Sequence, residues 1–304
     1  MSADQEKSMT GTTLQASQLQ RMLSGQTILQ DISLTVAPGD VVGLLGKNGS
    51  GKTTLLETLL GFGFASFGNC SVWGEESTKM SSDCKQRIGY VPQRDELPGE
   101  MTAKQLFHLY RQLRPRWDGD MVERLMPAWE LSETKRIRRM SEGQKQKLAI
   151  VLALAHQPEL LVLDEPVASL DPIARRQFFQ QLMDYACSDN RAIIFSSHIV
   201  SDMERIVNRI WCLQGGQLSC DRTLDDLYES VVRVSYKGEL AQAQKVAIEG
   251  LLHSEEDRVG GQLILNNWSQ GRLIALQNCG LENITVSGLS LEEIFLYLHG
   301  AKHE

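Results

Sequence analysis

The chain has 304 residues, 42% of them hydrophobic and 23% charged, with a formal net charge of −7. That length suits one large domain and a smaller one, and the acidic balance argues against a broad nucleic-acid footprint, so no nucleic-acid partner is expected. No uninterrupted apolar run approaches the ~20 residues that span a bilayer, and the six cysteines, with no C-x-x-C pair, are expected to be reduced thiols in a cytoplasmic protein.

Met1 to Gly11 is polar, lacks the apolar core of a signal peptide and is expected to be a flexible tail. From Thr12 to Val36, short apolar segments alternate with turn signals at Ser24-Gly25 and Ala37-Pro38-Gly39-Asp40, which predicts an antiparallel β layer. The apolar run Val41–Leu45 then leads into Gly46-Lys47-Asn48-Gly49-Ser50-Gly51-Lys52-Thr53, and a helix-like apolar segment runs from Thr54 to Leu60. In a strand–loop–helix setting this G-x-x-x-x-G-K-T pattern is a phosphate cradle. Glycines let successive N–H groups converge on phosphate oxygens, and the new helix adds the positive end of its dipole. Lys52 is placed to reach the β- and γ-phosphates, and the Thr53 hydroxyl to ligate Mg²⁺. Gly46, Asn48, Gly49, Ser50, Gly51 and Thr54 complete the expected nucleotide contacts.

Cys70–Trp73 and Arg87–Gln93 read as short strands, the second ending at Pro92-Gln93. Thr102-Ala103-Lys104-Gln105 has the form of a capping box, and Leu106, Leu109, Tyr110 and Leu113 follow at helical spacing. Met121–Met126 and Lys145–Ala155 continue the helical character, so a helical subdomain is expected over residues 94–157. Leu160–Leu163 is a continuous apolar run of the buried parallel-strand type, ending at Asp164-Glu165-Pro166. Asp164 is placed to hold Mg²⁺, directly or through water, and Glu165 to polarise the attacking water. Two carboxylates after a strand could by themselves be a solvated turn; the phosphate loop upstream favours the chemical reading.

Asp171-Pro172 opens a helix as N-cap and first helical residue. Ala192–Phe195 is a further buried strand, ending in Ser196-Ser197-His198, and Ile210–Leu213 precedes a Gly215-Gly216 turn. Alternating strands and helices predict an α/β domain around a mostly parallel sheet over residues 12–223. Past Leu224, strands are expected at Val231–Tyr236, Gln262–Trp268 and Asn283–Val286, and a helix at Gln242–Leu252. Ser290-Leu291-Glu292-Glu293 is a second capping box opening a terminal helix through Leu298. Residues 224–304 are thus expected to form an α+β accessory domain.

With both motifs in place, the sequence resembles the ABC-type ATPases, the nucleotide-binding subunits of ATP-binding-cassette transporters, from Leu14 to Leu218. In family order stand the phosphate loop, Gln93 as the Q-loop glutamine, and Ser141-Glu142-Gly143-Gln144 as the signature; Asp164-Glu165, Ser169-Leu170-Asp171 as the D-loop and His198 as the switch histidine follow. The resemblance implies a P-loop NTPase fold that binds ATP and Mg²⁺. It also implies a head-to-tail pair, with a second copy or a paralogue, holding ATP between one phosphate loop and the other signature. Within that pair Gln93 senses the γ-phosphate or Mg²⁺ and links the helical subdomain to the core, His198 contacts the γ-phosphate, and Asp171 acts across the dimer besides capping its helix. Ser141-x-x-Gln144 is also a capping box, and a helix N-terminus with a serine hydroxyl and the Gly143 amide suits a partner's γ-phosphate.

The implied activity is Mg²⁺-dependent ATP hydrolysis driving a separate membrane permease, with the subunit peripheral on the cytoplasmic face. Arg116-Trp117-Asp118, Gln144-Lys145-Gln146-Lys147 and the C-terminal appendix resemble bacterial cassettes paired with ABC-2-type permeases, which often export antibiotics, peptides or lipids. The alternative is a soluble ABC ATPase acting as a mechanical switch in a cytoplasmic complex; the single cassette and the lack of a long coiled-coil insertion weigh against it. The basic run Lys135–Arg139 is read as a solvated face, with contact to a permease loop or anionic headgroups as the alternative.

Two departures from the family stand out. Glu142 replaces a usual glycine and is expected to face outward, away from a partner's phosphates. No Phe, Trp or Tyr precedes Phe62, so Met22 or Leu23 offers only an apolar contact to a base. Weak selectivity for adenine follows: GTP should support hydrolysis nearly as well as ATP, and a much poorer GTP rate would refute this.

Overall fold

Polar–apolar alternation sets the first layer. The computed structural model describes residues 11–94, 97–114, 116–187, 191–240, 248–256, 259–279 and 281–298; residues 1–10 of the expected tail lie outside them. In chain order it begins with β1 (Leu14–Leu23), β2 (Gln26–Val36), β3 (Val41–Leu45), α1 (Lys52–Leu59), β4 (Phe67–Val72), β5 (Glu75–Glu76), α2 (Ser82–Gln86) and β6 (Ile88–Val91). Then come α3 (Ala103–Leu113), α4 (Gly119–Ala128), α5 (Glu142–Ala155), β7 (Leu160–Leu163), α6 (Pro172–Ala186), β8 (Ala192–Ser196), α7 (Val200–Met203), β9 (Arg209–Gln214) and β10 (Gln217–Thr223). The chain divides into two units, Met1–His198 with Ile206–Asp221, and Ile199–Arg205 with Arg222–Glu304. The second unit therefore includes a short segment lying inside the stretch expected to be ATPase.

In the first unit, β2-β1-β4-β5 form an antiparallel sheet, and β10-β9-β3-β8-β7-β6 form the main sheet. Strands β9, β3, β8, β7 and β6 pair in parallel, with Val42 beside Ile194 and Leu163 beside Phe195. The apolar run of β7 is buried at every position, as a sheet covered on both faces requires. Leu14, Leu19, Ile32 and Val36 of the antiparallel layer, Leu55 and Leu59 of α1, and Val42, Leu44, Val162 and Ile194 of the main sheet share one core. On the other face, Phe179 of α6 stacks near Phe195, with ring centroids 6.3 Å apart.

The residues that begin the helices act through their caps. Thr102 and Gln105 form both halves of a capping box on α3, and Ser141 and Gln144 do the same on α5. Asp171 caps α6 by accepting from the Ile173 and Ala174 N–H groups. These bonds satisfy helix-end donors that have no partner within the helix.

The second unit contains α8 (Leu224–Ser230), β11 (Val232–Lys237), β12 (Leu251–Glu256), β13 (Gly260–Leu265), α9 (Gln270–Asn278), β14 (Glu282–Gly288) and α10 (Leu291–Leu298). Its sheet has the order β12-β13-β11-β14 with antiparallel neighbours. Val232, Val234, Leu263, Leu265 and Leu276 build its core. The helix expected over Gln242–Leu252 is corrected at its end: residues 248–250 precede β12 as a bend and turn, and Leu251 and Leu252 are in the strand, while 241–247 lie outside the described residues. Leu251 pairs with Leu265, so sheet pairing overrode the helical spacing. The Ser290–Glu293 capping box does form. Among the described residues no helix is long and apolar enough to cross a membrane.

One buried titratable group in the first unit sets a pH dependence. His156 ends α5 with Nδ1 3.2 Å from the Leu152 carbonyl and Nε2 3.0 Å from that of Ile88. A neutral imidazole donates through only one of these nitrogens. Burial, followed by the nearby Arg114 charge, holds its pKa below the ordinary 6.5. The unfolded chain therefore takes up this proton first on acidification, and stability is lost as pH falls below the unfolded value. The urea midpoint of the first unit should drop between about pH 7.5 and about pH 5.5, and His156→Gln should reduce that drop. An equal drop in both proteins would remove His156 as the cause.

Candidate functional site

The loop between β3 and α1 has the shape of an anion cradle. Gly49 and Gly51 have φ of 79° and 103°, left-handed values that glycine adopts without a Cβ penalty. Gly46 is fixed by space, since a Cβ there would lie 2.7 Å from the Leu213 carbonyl oxygen and 2.5 Å from Ser50 Oγ. α1 starts at Lys52 with no side-chain cap, which leaves its first N–H groups for a ligand. Ser50 Oγ is buried and has no hydrogen-bond partner, a group that a polar ligand would satisfy. Asn48 and Thr54 stand in the same loop and first helical turn.

Lys52 is buried and donates to the Gly46 carbonyl at 2.8 Å, with its Nζ 3.4 Å from Glu165 Oε1. Thr53 Oγ1 lies 2.5 Å from Asp164 Oδ2 and 3.5 Å from Gln93 Oε1. With one hydroxyl proton, Thr53 donates to one of them, and the shorter contact is the stronger. The Asp164 carboxylate, fully buried, also accepts from Ser196 Oγ at 2.6 Å. Glu165 Oε2 lies 2.8 Å from His198 Nδ1; an ionised carboxylate only accepts, so that nitrogen carries the proton. Thr53, Gln93 and Asp164 together offer an oxygen-only donor set, which suits a hard divalent cation.

The loop, Gln93, Asp164, Glu165 and His198 thus converge from the ends of β3, β6, β7 and β8, at the C-terminal edge of the parallel strands. Ligands of open α/β sheets bind at this edge.

The signature residues Ser141 and Gln144 bond within their own helix cap at 3.2 Å, with Lys135 also donating to Gln144. Ser141 Oγ accepts in this box, so its own hydroxyl proton remains to donate outward. A Cβ on Gly143 would sit 2.8 Å from the Ser169 carbonyl oxygen, which seats the signature against the segment leading to Asp171. The Ala174 N–H, foremost, holds the Asp171 carboxyl below its ordinary pKa. The Glu142 side chain is 73% exposed and pairs with Lys145. In the basic run, Arg136 and Arg138 both pair with Glu100. Met22 and Leu23 are exposed.

Two features of the structure carry no distinct sequence signal. One is Ser196, which in the sequence only ends a strand and in the structure bonds both Asp164 and Glu165. The other is a groove of about 590 Å³ whose lining includes Phe62, Tyr90, Leu97, Tyr110 and Arg114. Gln146 also lines it, is 6% exposed, and its Nε2 has no hydrogen-bond partner.

A glycine cradle with a buried lysine, facing an Asp-Glu pair at the sheet edge, defines a P-loop nucleotide hydrolase. Residues 29–168 match the family described as ABC transporter. ABC transporter ATP-binding protein YtrB of Bacillus subtilis (strain 168) is 36% identical over 217 residues, 71% of this chain and 74% of that protein. Bacitracin transport ATP-binding protein BcrA of Bacillus licheniformis is 30% identical over 303 residues, 95% of this chain and 98% of that one. A solved ATP-binding subunit of an ABC transporter superposes with a TM-score of 0.66 at 26% identity, covering 72% of this chain and 92% of that one. The chain belongs to the ABC transporter family, as an ATP-binding subunit and ATP hydrolase.

Proposed function

We propose that this subunit hydrolyses ATP at a site shared between two cassettes and drives export of a drug, peptide or lipid through a separate permease. The observation that carries this is the convergence of Lys52, Thr53, Asp164, Glu165 and His198 on one sheet edge, while Ser141 and Gln144 of the signature bond within their own helix cap and to Lys135, which leaves the signature for a second chain's nucleotide. The triphosphate takes the loop of residues 46–54, and its charge competes with Glu165 for Lys52. Glu165, released from the lysine yet held by His198, then accepts a proton from the attacking water. His198 keeps that carboxylate aimed and lies beside the γ-phosphate. Thr53, Asp164 and Gln93 would hold Mg²⁺, which when bound neutralises charge on the β- and γ-phosphate oxygens. Catalysis here is mostly positioning and charge compensation.

The second cassette, a copy of this chain or a paralogue, supplies Ser141, Gly143 and Gln144 to the γ-phosphate, with Asp171 at the interface. The outward Glu142 keeps its charge away from that phosphate. The permease contact is assigned to the Phe62–Tyr110 groove, where Gln146 Nε2 awaits an acceptor, and it holds the subunit on the cytoplasmic face of the membrane. Export rests on the resemblance to cassettes of ABC-2-type permeases and on the bacitracin transport relative. That relative and YtrB are named as ATP-binding proteins of transporters, which favours this reading over a soluble mechanical switch.

Glu165→Gln should keep ATP binding, lower turnover by at least about 100-fold and lengthen the life of the ATP-bound dimer. Phosphate release together with ATP-dependent sedimentation reads both effects. Near-normal turnover would overturn the role given to Glu165.

A further inference from the structure

Resting on the ATPase reading above, we infer that Ser196 is a positioning residue that aims both Asp164 and Glu165 through one hydroxyl group. Ser196 ends β8 and is fully buried. Its Oγ donates to Asp164 Oδ1 at 2.6 Å and accepts the Glu165 N–H at 2.8 Å. A serine hydroxyl has one proton and two lone pairs, so both bonds coexist on one oxygen. The parallel register brings them there: Leu163 pairs with Phe195, which sets the next residues, Asp164 and Ser196, side by side.

Each bond has a consequence for the site. Occupied on Oδ1, the Asp164 carboxylate turns Oδ2 toward Thr53, 2.5 Å away, and so toward the position of the cation. Glu165 has φ of 48°, a left-handed conformation that a residue with a Cβ keeps only when its surroundings fix it. The bond from its N–H to Ser196 is one such constraint. It lies at the start of the side chain whose two oxygens meet Lys52 and His198. Without the hydroxyl, a buried carboxylate oxygen and a buried N–H lose their partner, and Glu165 is free to leave the strained backbone conformation. Ser196 is fully buried and its hydroxyl bonds are to Asp164 and Glu165, so its effect belongs to orientation.

The test compares wild-type, Ser196→Ala, Ser196→Cys, Ser196→Thr and Glu165→Gln proteins for ATP affinity, kcat, KM, Mg²⁺ requirement and thermal midpoint. Ser196→Ala should bind ATP within a few-fold of wild type while kcat falls roughly 10–100-fold, and its half-saturating Mg²⁺ concentration should rise. Ser196→Thr, which keeps the hydroxyl, should recover most of the rate, and Ser196→Cys, with a weak donor, should recover little. A Ser196→Ala kcat within about twofold of wild type overturns the inference. So does a loss of ATP affinity that matches the loss of kcat and a lowered thermal midpoint equally in the Ala, Cys and Thr variants. Glu165→Gln keeps the two readings apart: if it stays active, the role of Glu165 fails whatever Ser196 does, and if it is inactive while Ser196→Ala is not, only the positioning role falls.

Discussion

Burying two adjacent carboxylates at the end of a strand is costly unless each finds partners, and much of the first unit serves that need. Asp164 is met by Ser196 and Thr53, and Glu165 by Lys52 and His198. These partners come from the end of β8, which lies beside β7, and from the helix behind the phosphate loop, so the sheet must form before the carboxylates are compensated. Removing one partner strands a buried charge, which is why such a cluster tolerates little change. The same compensation makes the site responsive. In the proposed mechanism Lys52 answers to Glu165 until a triphosphate offers more negative charge, and binding would thereby change the state of that carboxylate.

Much of this was legible in the chain because it is local. The phosphate loop, the four apolar residues of β7 and the capping boxes at Thr102, Ser141 and Ser290 are each written in a few consecutive residues. The structure forms the strands before the loop and before the carboxylates, and the three capping boxes, where those signals indicate. Ser196 was not legible as part of the site. Its importance comes from the pairing of β7 with β8, residues more than thirty positions apart, and no spacing rule marks it. The groove is likewise assembled from segments as distant as Phe62 and Gln146.

The second unit shows the other limit. β12 reads Leu-Leu-His-Ser-Glu-Glu and lacks a period of two, so only its pairing with β13 declares it a strand. A helix such as α9 buries only Leu276. Weak burial leaves a weak pattern, since alternation is written by the core. Within this unit Glu204 accepts from Tyr228 and from the Leu291 N–H, so the short segment that follows His198 in the chain is held by α8 and α10.

The proposed site is completed by two chains, and mixing two inactive variants probes that completion. Glu165→Gln disables the water-activating side. Ser141→Asp keeps a good N-cap on α5 but sets a negative charge against the partner's phosphate. In an equimolar mixture, half the dimers are mixed and each of those carries one intact site, so ATPase activity should return to about a quarter of wild type. A mixture as inactive as its components would contradict the shared site and place Ser141 and Glu165 in the same one.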